Sequence, residues 1–152
     1  MSKPYATTSF YLKLLEFLFT AKHQLAVVGT DFDLTSIQIV TLLLINENRP
    51  RPMKHFCTLF NCDASNVTGI IDGLERKGLV SRQSDPHDRR IKIVCLEATG
   101  KVMQTAILQR LINSDGFSFD SLDDDEAQQF VHIIEKLAAH NTSLTHLDPV
   151  MK

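Results

Sequence analysis

The chain has 152 residues, 43% hydrophobic and 22% charged, with a formal net charge of −2 at pH 7. These proportions are ordinary for a globular domain and argue against disorder, collagen-like repeats and a small disulfide scaffold. A chain of this length buries roughly 68–70% of its unfolded surface, so residues 1–152 are expected to form one well-cored domain.

Charge is unevenly distributed. Nine Lys or Arg and five Asp or Glu lie between Arg49 and Lys92, leaving seven basic and thirteen acidic residues elsewhere. A polyanion would meet the basic middle of the chain. The apolar stretches 10–19 and 37–45 are interrupted or shorter than the roughly 20 residues a membrane span needs, so no membrane partner is expected. Residues 1–10 lack the basic start and cleavage site of a secretory signal. Cys57, Cys62 and Cys95 are odd in number and lack zinc-ligand spacing. Free thiols and a cytoplasmic location follow.

Apolar residues recur at Phe10, Leu14, Phe17, Leu18, Ala21 and Leu25, with Tyr11, Leu15 and Phe19 widening the stripe. This predicts a helix from Thr8 to about Val28 that must cover more than one face, and a second copy of the chain is the cheapest cover. After a break at 31–34, Thr35 and Gln38 have capping-box spacing before a buried helix over about 35–46. Arg49-Pro50-Arg51-Pro52 reads as a stiff basic connector. Met53, Phe56 and Phe60 mark a two-turn helix ended by Asn61-Cys62. Asp63 is placed to cap a fourth helix with Val67, Ile70, Ile71 and Leu74 on its buried side, and Gly78 to end it. Two short helices joined by a tight turn form a helix-turn-helix. Residues 79–84 and 91–96 read as strands around the turn 85–90, a hairpin wing. A fifth helix runs from about Thr99 to Asn113. Ser121 is expected to cap a sixth, whose first turn holds four acids and whose Phe130, Ile133, Ile134 and Leu137 supply a buried stripe.

The fourth helix turns Ser65, Gly69, Asp72 and Arg76 outward, with Asn66 and Thr68 flanking them near its N-terminus, where a recognition helix enters the major groove. Gly69 and Gly73 each cost about 0.5–1 kcal/mol in a helix. Close approach to DNA or tight helix packing would offset that. Asp72 has the spacing to pair with Arg76. At the hairpin tip, Arg89 and Arg90 beside Asp88 suit a minor groove or phosphate, with His87 as a further phosphate contact. Taken singly, the helix is also an ordinary solvated face and the tip an ordinary charged turn.

The span Thr35–Gly100 resembles the MarR (multiple antibiotic resistance regulator) family of winged-helix repressors. The resemblance lies in Leu34-Thr35-x-x-Gln38, Ser65-Asn66-Val67-Thr68, Ile71-Asp72-x-Leu74-Glu75-x-Lys77-Gly78-Leu79-Val80-x-Arg82, Asp85-Pro86-x-Asp88-Arg89-Arg90 and Leu96-x-x-x-Gly100. It implies a mainly α fold with a small β wing: a winged helix-turn-helix over 35–97 and dimerisation helices over 8–29 and 99–142. It further implies a homodimer on a pseudo-palindromic operator, a small-molecule effector in a crevice between the dimerisation helices and the winged domain, and DNA contacts from Ser65, Asn66, Thr68, Gly69, Arg76, Arg82, His87, Asp88, Arg89 and Arg90. Gly69 and Gly73 depart from the larger, often basic residues of many relatives.

The chain has no phosphate-cradling glycine loop, nucleophile elbow, His-Glu-x-x-His or paired Cys-x-x-Cys, so neither catalysis nor a cofactor is expected. His23, His55, His87, His132, His140 and His146 show no ligand spacing, and no metal is expected. Two alternatives stand beside DNA binding. One is a winged helix that binds protein. The other is a redox-sensing regulator using Cys57 or Cys62, which as packing residues would instead be inert small apolar groups.

Overall fold

The structure, a computed structural model, describes residues 8–48, 50–114 and 119–145, with side chains of the last helix described through residue 140. Arg49 and His146 lie outside the described residues, as does part of the expected 99–142 span. In chain order the elements are α1 (Thr8–Phe32), α2 (Ser36–Leu44), β1 (Arg51–Pro52), α3 (Met53–Phe60), α4 (Ala64–Arg76), β2 (Val80–Ser84), β3 (Lys92–Leu96), α5 (Ala98–Ile112) and α6 (Asp124–Thr145). The expected fold class holds: the chain is mostly helical with a small antiparallel sheet.

Three helices end in the same way. The chain turns left-handed directly after α1 at Asp33 (φ 53°) and after α3 at Asn61 (φ 47°), and one residue further on from α4 at Gly78 (φ 69°). Leu34, Cys62 and Leu79 then donate back to the carbonyls of Gly29, Cys57 and Leu74 at 2.8, 3.1 and 3.1 Å. These are Schellman closures, which satisfy otherwise orphaned carbonyls and reverse the chain sharply. The closure at Asp33 carries α1 one turn beyond the expected end near Val28. Asp33 is held there by Lys77, whose ammonium pairs with its carboxylate and keeps it below the ordinary carboxylate range.

The capping box of α2 forms as its spacing predicts: the Thr35 hydroxyl accepts from Gln38 N–H, and Gln38 Oε1 accepts from Thr35 N–H at 2.9 Å. For α6 the cap is Asp123, not Ser121. Asp123 Oδ1 accepts from Glu126 N–H at 2.8 Å, and Glu126 Oε2 accepts from Asp123 N–H at 3.0 Å. Asp123 and Glu126 satisfy each other as a reciprocal capping pair.

The basic connector at 51–52 is a strand. Arg51 pairs with Val94 and Pro52 with Ile93, so the wing sheet has three strands in the order β1-β3-β2. Pro52 is tolerated because β1 lies at the sheet edge. The core gathers Val28 of α1, Leu34 of the turn that follows, Ile39 and Leu42 of α2, Phe56, Val67, Ile71 and Leu74 from α3 and α4, and Val94 and Ile107.

The stripe expected to be buried on α6 is exposed within one chain: Ile133, Ile134 and Leu137 are each about half accessible. The same holds along the first three turns of α1, from Phe10 to Phe19. These two apolar faces meet through Phe17 and Phe130, whose rings lie 6.1 Å apart. Among the described residues, no single helix is long and apolar enough to cross a membrane.

Candidate nucleic-acid interface

Asp63 caps α4. Its carboxylate accepts from Asn66 N–H at 2.9 Å and from the Ser65 hydroxyl at 2.8 Å, and these bonds hold it below the usual carboxylate range. Val67, Ile71 and Leu74 are buried, while Ser65, Asn66, Thr68, Gly69 and Arg76 are exposed on the opposite side. The Thr68 hydroxyl donates to Ala64 C=O at 2.7 Å, which fixes its rotamer and leaves its lone pairs outward. The Asn66 side-chain amide has no partner among the described residues.

The two glycines have different reasons to be glycine. A Cβ on Gly69 would meet nothing within 4 Å, so this position opens directly onto the outer face. A Cβ on Gly73 would come within 2.2 Å of Gln38 Nε2, because α2 packs there and Gln38 is held by its bond to Thr35. Gly69→Ala should therefore raise stability by about 0.5–1 kcal/mol through helix propensity. In Gly73→Ala that gain should be cancelled or reversed by displacement of the capping glutamine. Thermal denaturation of the two variants checks this difference in sign.

The wing is fixed to the helix by Arg82. Its guanidinium donates to Glu75 Oε2 at 3.1 Å, to Thr68 C=O at 3.1 Å and to Asp72, while Glu75 Oε1 accepts from Arg82 N–H at 3.1 Å. The expected Asp72–Arg76 pair is thus replaced by an Asp72–Arg82 pair across two elements, since the β2 guanidinium reaches both carboxylates and the backbone at once. Arg82 stands apart from the other nominated residues: its side chain is only 26% exposed and its donors are turned inward.

The hairpin tip is built by two acidic side chains. Asp85 Oδ1 accepts from His87 N–H at 2.7 Å and Asp88 N–H at 3.2 Å, and Asp88 Oδ1 accepts from Arg90 N–H at 3.0 Å. His87, Arg89 and Arg90 project into solvent, and the Arg90 side chain is 94% exposed with its Nε 3.6 Å from Asp88. Between this tip, α3 and the start of α4 lies a cleft of about 420 Å³ lined in part by Lys54, Cys57, Thr68, Arg90 and Lys92. Among the described residues no group of three or more His, Cys, Asp or Glu could hold a metal ion.

Sequence spacing gave no sign of two further ties. Gln104 of α5 donates to Leu42 C=O at 2.6 Å and Ile45 C=O at 2.7 Å, closing the end of α2. Arg110 pairs with Asp31 of α1 at 2.8 Å. Both depend on long-range contacts that no local pattern encodes.

A helix, a tight turn, a second helix with an open polar face and a basic hairpin locked to it define a winged helix-turn-helix, the DNA-binding class of transcriptional regulators. Residues 34–92 match the model of the MarR family. It is 29% identical over 107 residues to the HTH-type transcriptional repressor NicR of Pseudomonas putida, covering 70% of this chain and 68% of NicR. Its fold is similar to the crystal structure of MarR, with a TM-score of 0.74 at 20% identity, covering 95% of this chain and 97% of the other. It is similar also to CouR from Rhodococcus jostii RHA1 bound to p-coumaroyl-CoA, with a TM-score of 0.67 at 19% identity, covering 91% and 96%.

Proposed function

We propose that the protein is a homodimeric repressor that binds a pseudo-palindromic operator and is released by a small-molecule effector. The observation that carries this reading is one continuous surface with an open helix face at Asn66, Thr68 and Gly69 and an exposed Arg90 at the wing tip, held in register by Arg82. The apolar faces of α1 and α6, exposed in a single chain, support pairing of two copies. The repressor name of NicR and the acyl-CoA bound to CouR support repression and an effector.

The nominated residues divide by role. Asn66 and Thr68 offer neutral donors and acceptors to base edges, with Ser65 and Gly69 admitting the backbone. Arg89, Arg90 and His87 meet phosphate or the minor groove, and Arg76 the backbone beyond the helix end. Asp88 orients Arg90. Arg82 positions the wing on the helix and makes no contact of its own.

Arg90→Ala should weaken binding to all duplexes alike and lower the magnitude of the salt slope by about one unit per lost contact, with the fold unchanged. Asn66→Ala and Thr68→Ala should each cost about 1–3 kcal/mol on the operator and little on random DNA. Titrating operator and random duplex across a salt series separates the two behaviours. Unchanged affinities and slope in Arg90→Ala would reduce the tip to a charged turn.

A further inference from the structure

We propose that Cys57 and Cys62 are a redox-active dithiol that closes to an intramolecular disulfide, and that closure weakens DNA binding by displacing the start of α4. The regulatory half of this proposal rests on the DNA-binding reading above.

The geometry comes from the end of α3. Cys62 N–H donates to Cys57 C=O at 3.1 Å and Asn61 N–H to Thr58 C=O at 3.3 Å, with Asn61 left-handed at φ 47° and ψ 49°. In a Schellman closure these two positions are the ones whose side chains meet. A disulfide asks for Cα atoms roughly 4.4–6.8 Å apart, a span that residues joined by a direct backbone hydrogen bond can meet. Both thiols are free and half-buried, packed at the rim of the core.

Their surroundings give them different roles. Burial pushes the Cys62 thiol up, and the adjacent Cys57 and Asp63 push it further. Cys57 faces the cleft that also holds Lys54, Arg90 and Lys92. Access from the cleft favours attack by Cys57, so Cys57 reacts first. With a peroxide as oxidant, the Cys57 thiolate attacks one peroxide oxygen, the O–O bond breaks, and the leaving hydroxide (from hydrogen peroxide) or alkoxide (from an organic hydroperoxide) takes the proton the Cys57 thiol gave up, to become water or an alcohol. Cys57 is now a sulfenic acid. The Cys62 sulfur attacks it, the S–S bond forms, and the departing hydroxide takes the Cys62 proton and leaves as water. Two thiols lose two electrons and one peroxide gains them.

The consequence reaches the recognition helix directly. A disulfide brings Cβ atoms to about 3.8 Å, which draws Cys62 toward α3, and Cys62 is bonded to Asp63, the cap that holds Ser65 and Asn66. The first turn of α4 moves with it.

Trypsin cleaves after Lys54 and Arg76, so both thiols fall on the single peptide 55–76. The full chain is treated with stoichiometric hydrogen peroxide, then alkylated and digested, while binding to a duplex selected by the reduced protein from a random pool is measured in parallel. The expected result is a peptide 55–76 lighter than its reduced form by two hydrogens, with binding weakened about tenfold and recovered on adding thiol. Cys57→Ser and Cys62→Ser should bind the duplex when reduced and ignore peroxide; Cys95→Ser should respond normally. Over-oxidation, a cross-link to Cys95 or between chains, or a disulfide without loss of binding would each overturn the proposal. If the reduced protein selects no duplex, the DNA-binding reading fails and takes the regulatory half with it, while the peptide mass still decides the thiol chemistry.

Discussion

Arg82→Ala should lower operator affinity by about a hundredfold and destabilise the fold by about 2 kcal/mol, although residue 82 touches no DNA in this account. The change removes side-chain bonds to Glu75, Asp72 and the Thr68 carbonyl together. Charged hydrogen bonds are worth roughly 1.5–3 kcal/mol each, and partial exposure of both carboxylates reduces the total to the lower end. Two carboxylates one helical turn apart would then stand unpaired beside the phosphate-facing surface, adding repulsion to the loss of register. Arg82→Lys should not rescue binding, because a single ammonium cannot reproduce a fork that spans three acceptors. Chemical denaturation and operator titration of both variants, set beside the stable but weakly binding Arg90→Ala, distinguish positioning from contact. Normal operator binding by Arg82→Ala would mean that wing and helix act independently.

The second large effect concerns assembly. Leu18 lies on the exposed apolar face of α1. Leu18→Glu would place an unpaired carboxylate in the proposed dimer interface, expected to exceed about 2,000 Å², and burying such a charge costs several kcal/mol. We expect the dissociation constant of the dimer to rise about a thousandfold, equivalent to about 4 kcal/mol. Operator affinity should collapse with it, since two half-sites would no longer be held by one body. The winged core around Val67, Ile71 and Leu74 is separate from this face, so circular dichroism should report a largely intact fold. Sedimentation checks the prediction: a dimer persisting in Leu18→Glu, or a wild-type monomer at micromolar concentration, would place the interface elsewhere.

What the sequence makes legible is what local chemistry encodes. Thr35 with Gln38, Asp63 before an i, i+3, i+4, i+7 stripe, and Gly78 after it all act within a few residues, and each element stands where its signal lies. The outward placement of Ser65, Asn66, Thr68 and Gly69 follows from that periodicity alone. The rest is decided by distance in the chain. Arg51-Pro52 reads as a connector because its pairing with β3 lies about forty residues away. Arg82 reads as a groove-facing cation because nothing local shows that Asp72 and Glu75 converge on it. Gly69 and Gly73 look alike in sequence and differ only once α2 is laid against α4. The stripe on α6 reads as buried because periodicity marks a face to be covered and is silent on whether the same chain covers it.

The most direct test of the DNA-binding account is selection of bound duplexes from a random pool, followed by titration of the enriched sequence across a salt series. The account predicts enrichment of a pseudo-palindrome with half-sites about 10–10.5 base pairs apart, and an affinity that falls linearly with the logarithm of salt with a slope of several units. Failure to enrich any sequence, or binding indifferent to salt, would contradict it and favour a winged helix that meets protein instead of DNA.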